Sequence, residues 1–136
     1  MSWTATKYGI IKKTSLGFDQ AVEVVTAALA DEGFGILTEI DVQAVLKKKL
    51  DVDRPRYLIL GACNANLASA ALEAEPWVGL LLPCNVVIQE TDGGTEVGFM
   101  DPQVIRQVTL NPEVDRITSD AREKILRVAN RLPDRE

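Results

Sequence analysis

Two Cys-Asn dipeptides, Cys63-Asn64 and Cys84-Asn85, are the groups in this chain best suited to chemistry. A thiolate is a nucleophile and a ligand for soft metals, and the amide beside it offers both a hydrogen-bond donor and an acceptor. Cys63 stands where an apolar run, 57–62, gives way to a helical pattern, and the N–H groups and dipole of a helix start favour a thiolate there. If strands 57–62 and 84–90 pair antiparallel, the end of one faces the beginning of the other and both dipeptides reach one rim of a sheet. The bland reading of the same residues is two buried cysteines beside asparagines that cap a helix or satisfy a turn. The spacing is not that of a C-x-x-C pair, so a metal site here requires the thiols to meet in space.

Glu39 and Asp41 flank Ile40 at alternate positions, the spacing that turns two carboxylates to one face of a strand for acid-base work or a hard cation. Asp41 is equally well placed to cap the short helix that follows. Lys49 closes the run Lys47-Lys48-Lys49, which reads as a helix end facing the negative pole of its dipole. The candidate ligand-binding set is therefore Cys63, Asn64, Cys84, Asn85, Glu39, Asp41 and Lys49, with Cys63 and Cys84 as the candidate metal ligands. No residue is assigned a catalytic role, and no cofactor is identified.

Several functions are excluded by what is missing. The chain has no histidine, which removes Ser-His-Asp and Cys-His catalysis and histidine-ligated zinc. Gly33-Phe34-Gly35 is too short for a dinucleotide fingerprint and follows a helix, and no phosphate-binding loop motif occurs. Fifteen basic against twenty acidic residues leave a net charge of −5, which disfavours nucleic acid and anionic membranes as partners. No secretory leader or membrane-length apolar stretch is present, so a cytoplasmic setting with reduced thiols is expected.

The elements that position these groups follow from hydrophobic spacing. Residues 4–13 read as a half-exposed strand, with Tyr8 and Ile10 set against Lys7 and Lys12. Phe18, Ala21, Val22, Val25, Ala28 and Leu29 recur at helical spacing, and Gly33 stands at the C-terminal cap position. A strand at 34–40, a short helix at 42–50 and a loop at 51–56 come next. The apolar run 57–62 reads as a buried strand, and Asn64 or Asn66 caps a third helix that Pro76 stops. Residues 77–83 fit either a helical turn or an extended segment. Asp92-Gly93-Gly94 predicts a hairpin between strands 84–90 and 95–100. A turn of helix is open as a reading through Val108, and Asn111, Pro112 and Glu113 mark the start of a long last helix. At 136 residues with 46% apolar side chains, one domain of α+β class is expected over the whole chain, with a core at about 5–132.

The blocks Glu39-Ile40-Asp41-Val42, Lys49-Leu50, Ile59-Leu60-Gly61-Ala62-Cys63-Asn64 and Leu81-Leu82-Pro83-Cys84-Asn85-Val86 resemble the bacterial and archaeal domain-of-unknown-function family 302, over residues 8–132. The resemblance implies a fold like that of the TATA-binding protein, a curved, mainly antiparallel sheet with helices packed on one face and a long C-terminal helix, and a homodimer. The leading functional expectation is a small homodimeric domain that binds a small molecule or a soft metal through its two Cys-Asn pairs, without turnover. The alternatives are a thiol-based redox enzyme or sensor, and a purely structural accessory dimer.

Overall fold

The computed structural model of the chain describes residues 2–135. In chain order the elements are β1 (Thr4–Ala5), β2 (Gly9–Thr14), α1 (Phe18–Asp31), β3 (Phe34–Asp41), α2 (Val42–Leu50), β4 (Tyr57–Asn64), α3 (Ala65–Ala74), a 3-10 turn (Pro76–Leu81), β5 (Cys84–Thr91), β6 (Gly94–Met100), α4 (Gln103–Thr109) and α5 (Pro112–Asn130). The strands form one sheet in the order β1-β2-β6-β5-β4-β3, and every neighbouring pair is antiparallel. The class is α+β, as the alternation of periods predicts.

Local chemistry explains most of the boundaries. The β5–β6 hairpin closes with Thr91 opposite Gly94, and Gly94 takes φ +131°, which side chains with a Cβ rarely adopt. Asn111 caps α5 by accepting a hydrogen bond from the Glu113 N–H at 3.0 Å, with Pro112 at the first helical position. The single strand expected over 4–13 divides into β1 and β2, joined by a turn in which the Thr6 N–H donates to the Gly9 carbonyl at 2.7 Å. Residues 76–81 resolve as a 3-10 turn, and strand β4 runs on through Cys63 and Asn64.

Two apolar clusters hold the molecule together. The larger lies between the sheet and helices α1 and α5: Ile10, Leu60, Val86 and Phe99 from the strands meet Val25, Leu29, Ile125 and Val128, all essentially inaccessible. Each such side chain stabilises the fold by about 1.5–3 kcal/mol on burial. The smaller cluster is lateral, where Ala71 of α3, Val78 of the 3-10 turn, Ile105 of α4 and Val114 of α5 pack together beside one end of the sheet.

One strand reading is corrected. Ile10 and Lys12 were set on opposite sides of the first strand, but they are two residues apart and share the helix-covered face. Lys12 is fully buried, and its ammonium forms an ion pair with Asp134 beyond α5. Tyr8, grouped with the apolar side, is 71% exposed. Helix α2 also departs from the usual pattern: none of its residues is buried.

Candidate functional site

Strands β4 and β5 pair so that Ala62 lies opposite Cys84 and Gly61 opposite Asn85. Both Cys-Asn pairs therefore come to one end of the sheet. The pleat sorts them crosswise, because alternate residues point to opposite faces. Asn64 and Cys84 fall on the helix-covered side with Ala62 and Val86, whereas Asn85 and Cys63 fall on the other side with Gly61. Cys63, half-buried at the end of its strand, still contributes to the rim of the cavity described below.

Asn64 is buried and joins three elements. Its Oδ1 accepts a hydrogen bond from the Leu67 N–H at 3.2 Å, capping α3, and its Nδ2 donates to the Glu32 carbonyl at the end of α1 at 3.2 Å. Gly33, at φ +85°, makes this possible: a Cβ there would stand 2.9 Å from Asn64 Nδ2. The cap position at the start of α3 is thus filled by an amide rather than by an anion.

Where the sheet end meets the lateral lobe, a cavity of about 50 Å³ opens among Ala71, Val78, Ile105 and Val114, with Cys84 and Cys63 at its sheet side. The polar groups of its wall are already engaged. Thr118 donates its hydroxyl to the Asp115 carbonyl at 3.0 Å, and both polar atoms of Asn64 are in use. Water entering this space finds few of the partners it needs. Burial pushes the Cys84 thiol from its usual value near 9 up to about 11, and the neighbouring Cys63 adds to the shift. Cys84 is accordingly a neutral thiol near pH 7, poorly suited as a nucleophile. Among the described residues no group of three or more His, Cys, Asp or Glu side chains is placed to hold a metal ion.

The structure does not bring Glu39, Asp41 and Lys49 to this cavity. Glu39 is exposed on edge strand β3, opposite Leu60, and Asp41 lies opposite Leu58. Leu58 is five residues before Cys63, about 17 Å along the strand. Asp41 Oδ1 accepts from the Ala44 N–H at 3.0 Å, so it serves as the cap of α2, and Lys49 is exposed in the last turn of that helix.

Two features escaped the sequence. The cavity walls come from α3, α4 and α5, distant in the chain, and the only hint was the run of small residues Ala68, Ala70 and Ala71, which leaves room beside α3. A second, larger cleft of about 380 Å³ lies over the opposite sheet face and includes Asn85, Tyr57, Gln89 and Glu96. Its polar residues alternate with core residues along β5 and β6, which reads in sequence as an ordinary solvated face.

The model of the family described as domain of unknown function DUF302 matches residues 10–132. The chain is similar to the crystal structure of an uncharacterized conserved protein DUF302 from Bacillus stearothermophilus, with 26% sequence identity and a TM-score of 0.86 over 93% of this chain and 99% of that one. No curated protein matches the sequence. No helix among the described residues is long and apolar enough to cross a membrane.

Proposed function

Starting from the fact that the chain belongs to the DUF302 family, we propose that it is a ligand-binding domain without turnover, whose cavity beside Cys84 takes a compact, uncharged apolar group. The observation that carries this reading is the apolar cavity, whose polar wall atoms are satisfied within the protein and whose Cys84 thiol, on the sheet side, keeps its proton. An empty apolar cavity of about 150 Å³ holds benzene. A space of about 50 Å³ is suited to something smaller, such as a methyl- or ethyl-sized end of a ligand whose remainder leaves along the rim at Cys63. A soft metal fits less well, because Cys63 and Cys84 fall on opposite faces of the sheet and no third His, Cys, Asp or Glu side chain joins them among the described residues. Native mass spectrometry with elemental analysis of the purified protein tests the reading. An organic adduct lost in Ala71→Leu, which fills the cavity, supports it. A stoichiometric metal lost in a Cys63→Ser, Cys84→Ser double variant overturns it in favour of a thiolate site.

We further infer that the domain works as a homodimer through its β3–α2 edge. Leu37, Ile40, Val45, Leu50 and Val52 are exposed there, and α2, with nine residues and no buried side chain, is too short to be stable on its own propensity. A two-fold axis along this edge would cover these side chains from both copies at once. Sedimentation velocity should give a dimer at micromolar concentration that Leu50→Glu converts to monomer. A wild-type monomer across that range overturns the inference.

A further inference from the structure

The second cleft lies on the sheet face opposite α1 and α5 and spans β2, β6, β5 and β4. Its volume, about 380 Å³, falls within the roughly 300–1,000 Å³ of small-molecule sites. The floor is one register row, Ile11, Gly98 and Val87, across three strands. Gly98 lets the floor lie flat: the tip of Ile11 folds over it, 3.1 Å from where a Cβ would stand. Glu96 and Gln89 stand opposite each other on one side, with Tyr57 opposite Gln89, and Asn85 stands on the other side.

The polar groups around this floor have spare capacity. The side chains of Asn85, Gln89, Tyr57 and Tyr8 make no hydrogen bond among the described residues. Glu96 accepts from the Thr91 hydroxyl at 3.2 Å and lies 3.8 Å from Arg135. Arg54 sits 5.0 Å from the centre of the Tyr57 ring and is not among the cleft walls. A flat apolar floor, two free primary amides and two phenols match a ring that is planar and carries donors and acceptors on its edge. Glu96 is met by Arg135 and by Lys13, which faces it across β2, and no Lys or Arg among the described residues lines the cleft, so the site offers an anion no free cation on a chain of net charge −5.

From this we propose that the open face of the sheet is a binding site for an uncharged planar nitrogen heterocycle, laid on the row of Ile11, Gly98 and Val87 and hydrogen-bonded by Asn85 and Gln89. The site is independent of the cavity beside Cys84. Adenosine, lumichrome and AMP, titrated into the ¹⁵N-labelled full chain, test it by NMR. A saturable shift of the Gly98 amide and of the Asn85 and Gln89 side-chain amides is expected with at least one of the two neutral compounds. AMP should bind about tenfold more weakly than adenosine, and Glu96→Gln should narrow that gap. Gly98→Val should abolish the shifts; should it fail to fold, the pair Asn85→Ala, Gln89→Ala should weaken binding at least about tenfold. Three results overturn the proposal: no neutral compound moves these amides at millimolar concentration; AMP binds as tightly as adenosine; or the cleft resonances change with protein concentration alone, which makes a second copy the occupant.

Discussion

Asn64 shows how much one amide can carry. It caps α3, ties that helix to the end of α1, and closes a side of the cavity, so Asn64→Ala removes a cap and a buried hydrogen bond together. A loss of about 1–3 kcal/mol is expected, measured by urea unfolding. At Cys84 the shift from near 9 to about 11 lowers the thiolate fraction near neutral pH by roughly 100-fold. Alkylation of Cys84 in a Cys63→Ser background should therefore be slow at neutral pH and quicken only as pH approaches 11. Above the usual value the unfolded chain releases this proton while the folded one keeps it, so the same group weakens the fold as pH rises from about 9 to 11. The capping role of Asp41 and a capping role for Asn64 were readable from the residue types and their places before helices. The burial of Lys12 was not, because its partner, Asp134, is far away in the chain and no local pattern announces it.

Among the elements, β4 is held where Gly61 permits. A Cβ at Gly61 would collide with Thr38 Oγ1 and stand 2.9 Å from Pro83 Cγ, so β3 and the approach to β5 both close in over this position. Gly61→Ala should cost about 1–3 kcal/mol, and adding Thr38→Ala should recover part of it, read as coupling in a double-mutant cycle. Helices α1 and α5 and the β5–β6 hairpin were legible because their signals are local: apolar spacing, a cap, an Asp-Gly-Gly turn. The cavity was not, since it arises where α3, the 3-10 turn and α4 stack on α5. The bulge between Ile36 and Thr38, which leaves Leu37 outside, likewise has no signature in the residues that form it.

Across the whole molecule, the Lys12 ammonium, assisted by the Ser2 N–H, holds the Asp134 carboxyl below its usual value. A carboxylate with a depressed folded value adds stability at higher pH and loses it as pH falls through that value, here below about 4. Wild-type protein should lose urea resistance over that acid range, while Asp134→Asn, weaker from the outset, should show a flatter dependence. Glu32, lowered by its hydrogen bonds with Arg127, adds to the same trend in both proteins. The Ser2 N–H reaches Asp134 Oδ1 at 3.1 Å, so the segment before β1 touches the segment after α5. Ser2 is thus held to Asp134 by side-chain contacts, and Asp134 to β2 by one isolated bridge with Thr14, rather than by a strand ladder. Joining these two segments with a few flexible residues and reopening the chain in the exposed 51–56 loop would change the order in which the elements are made and leave every pairing among them available.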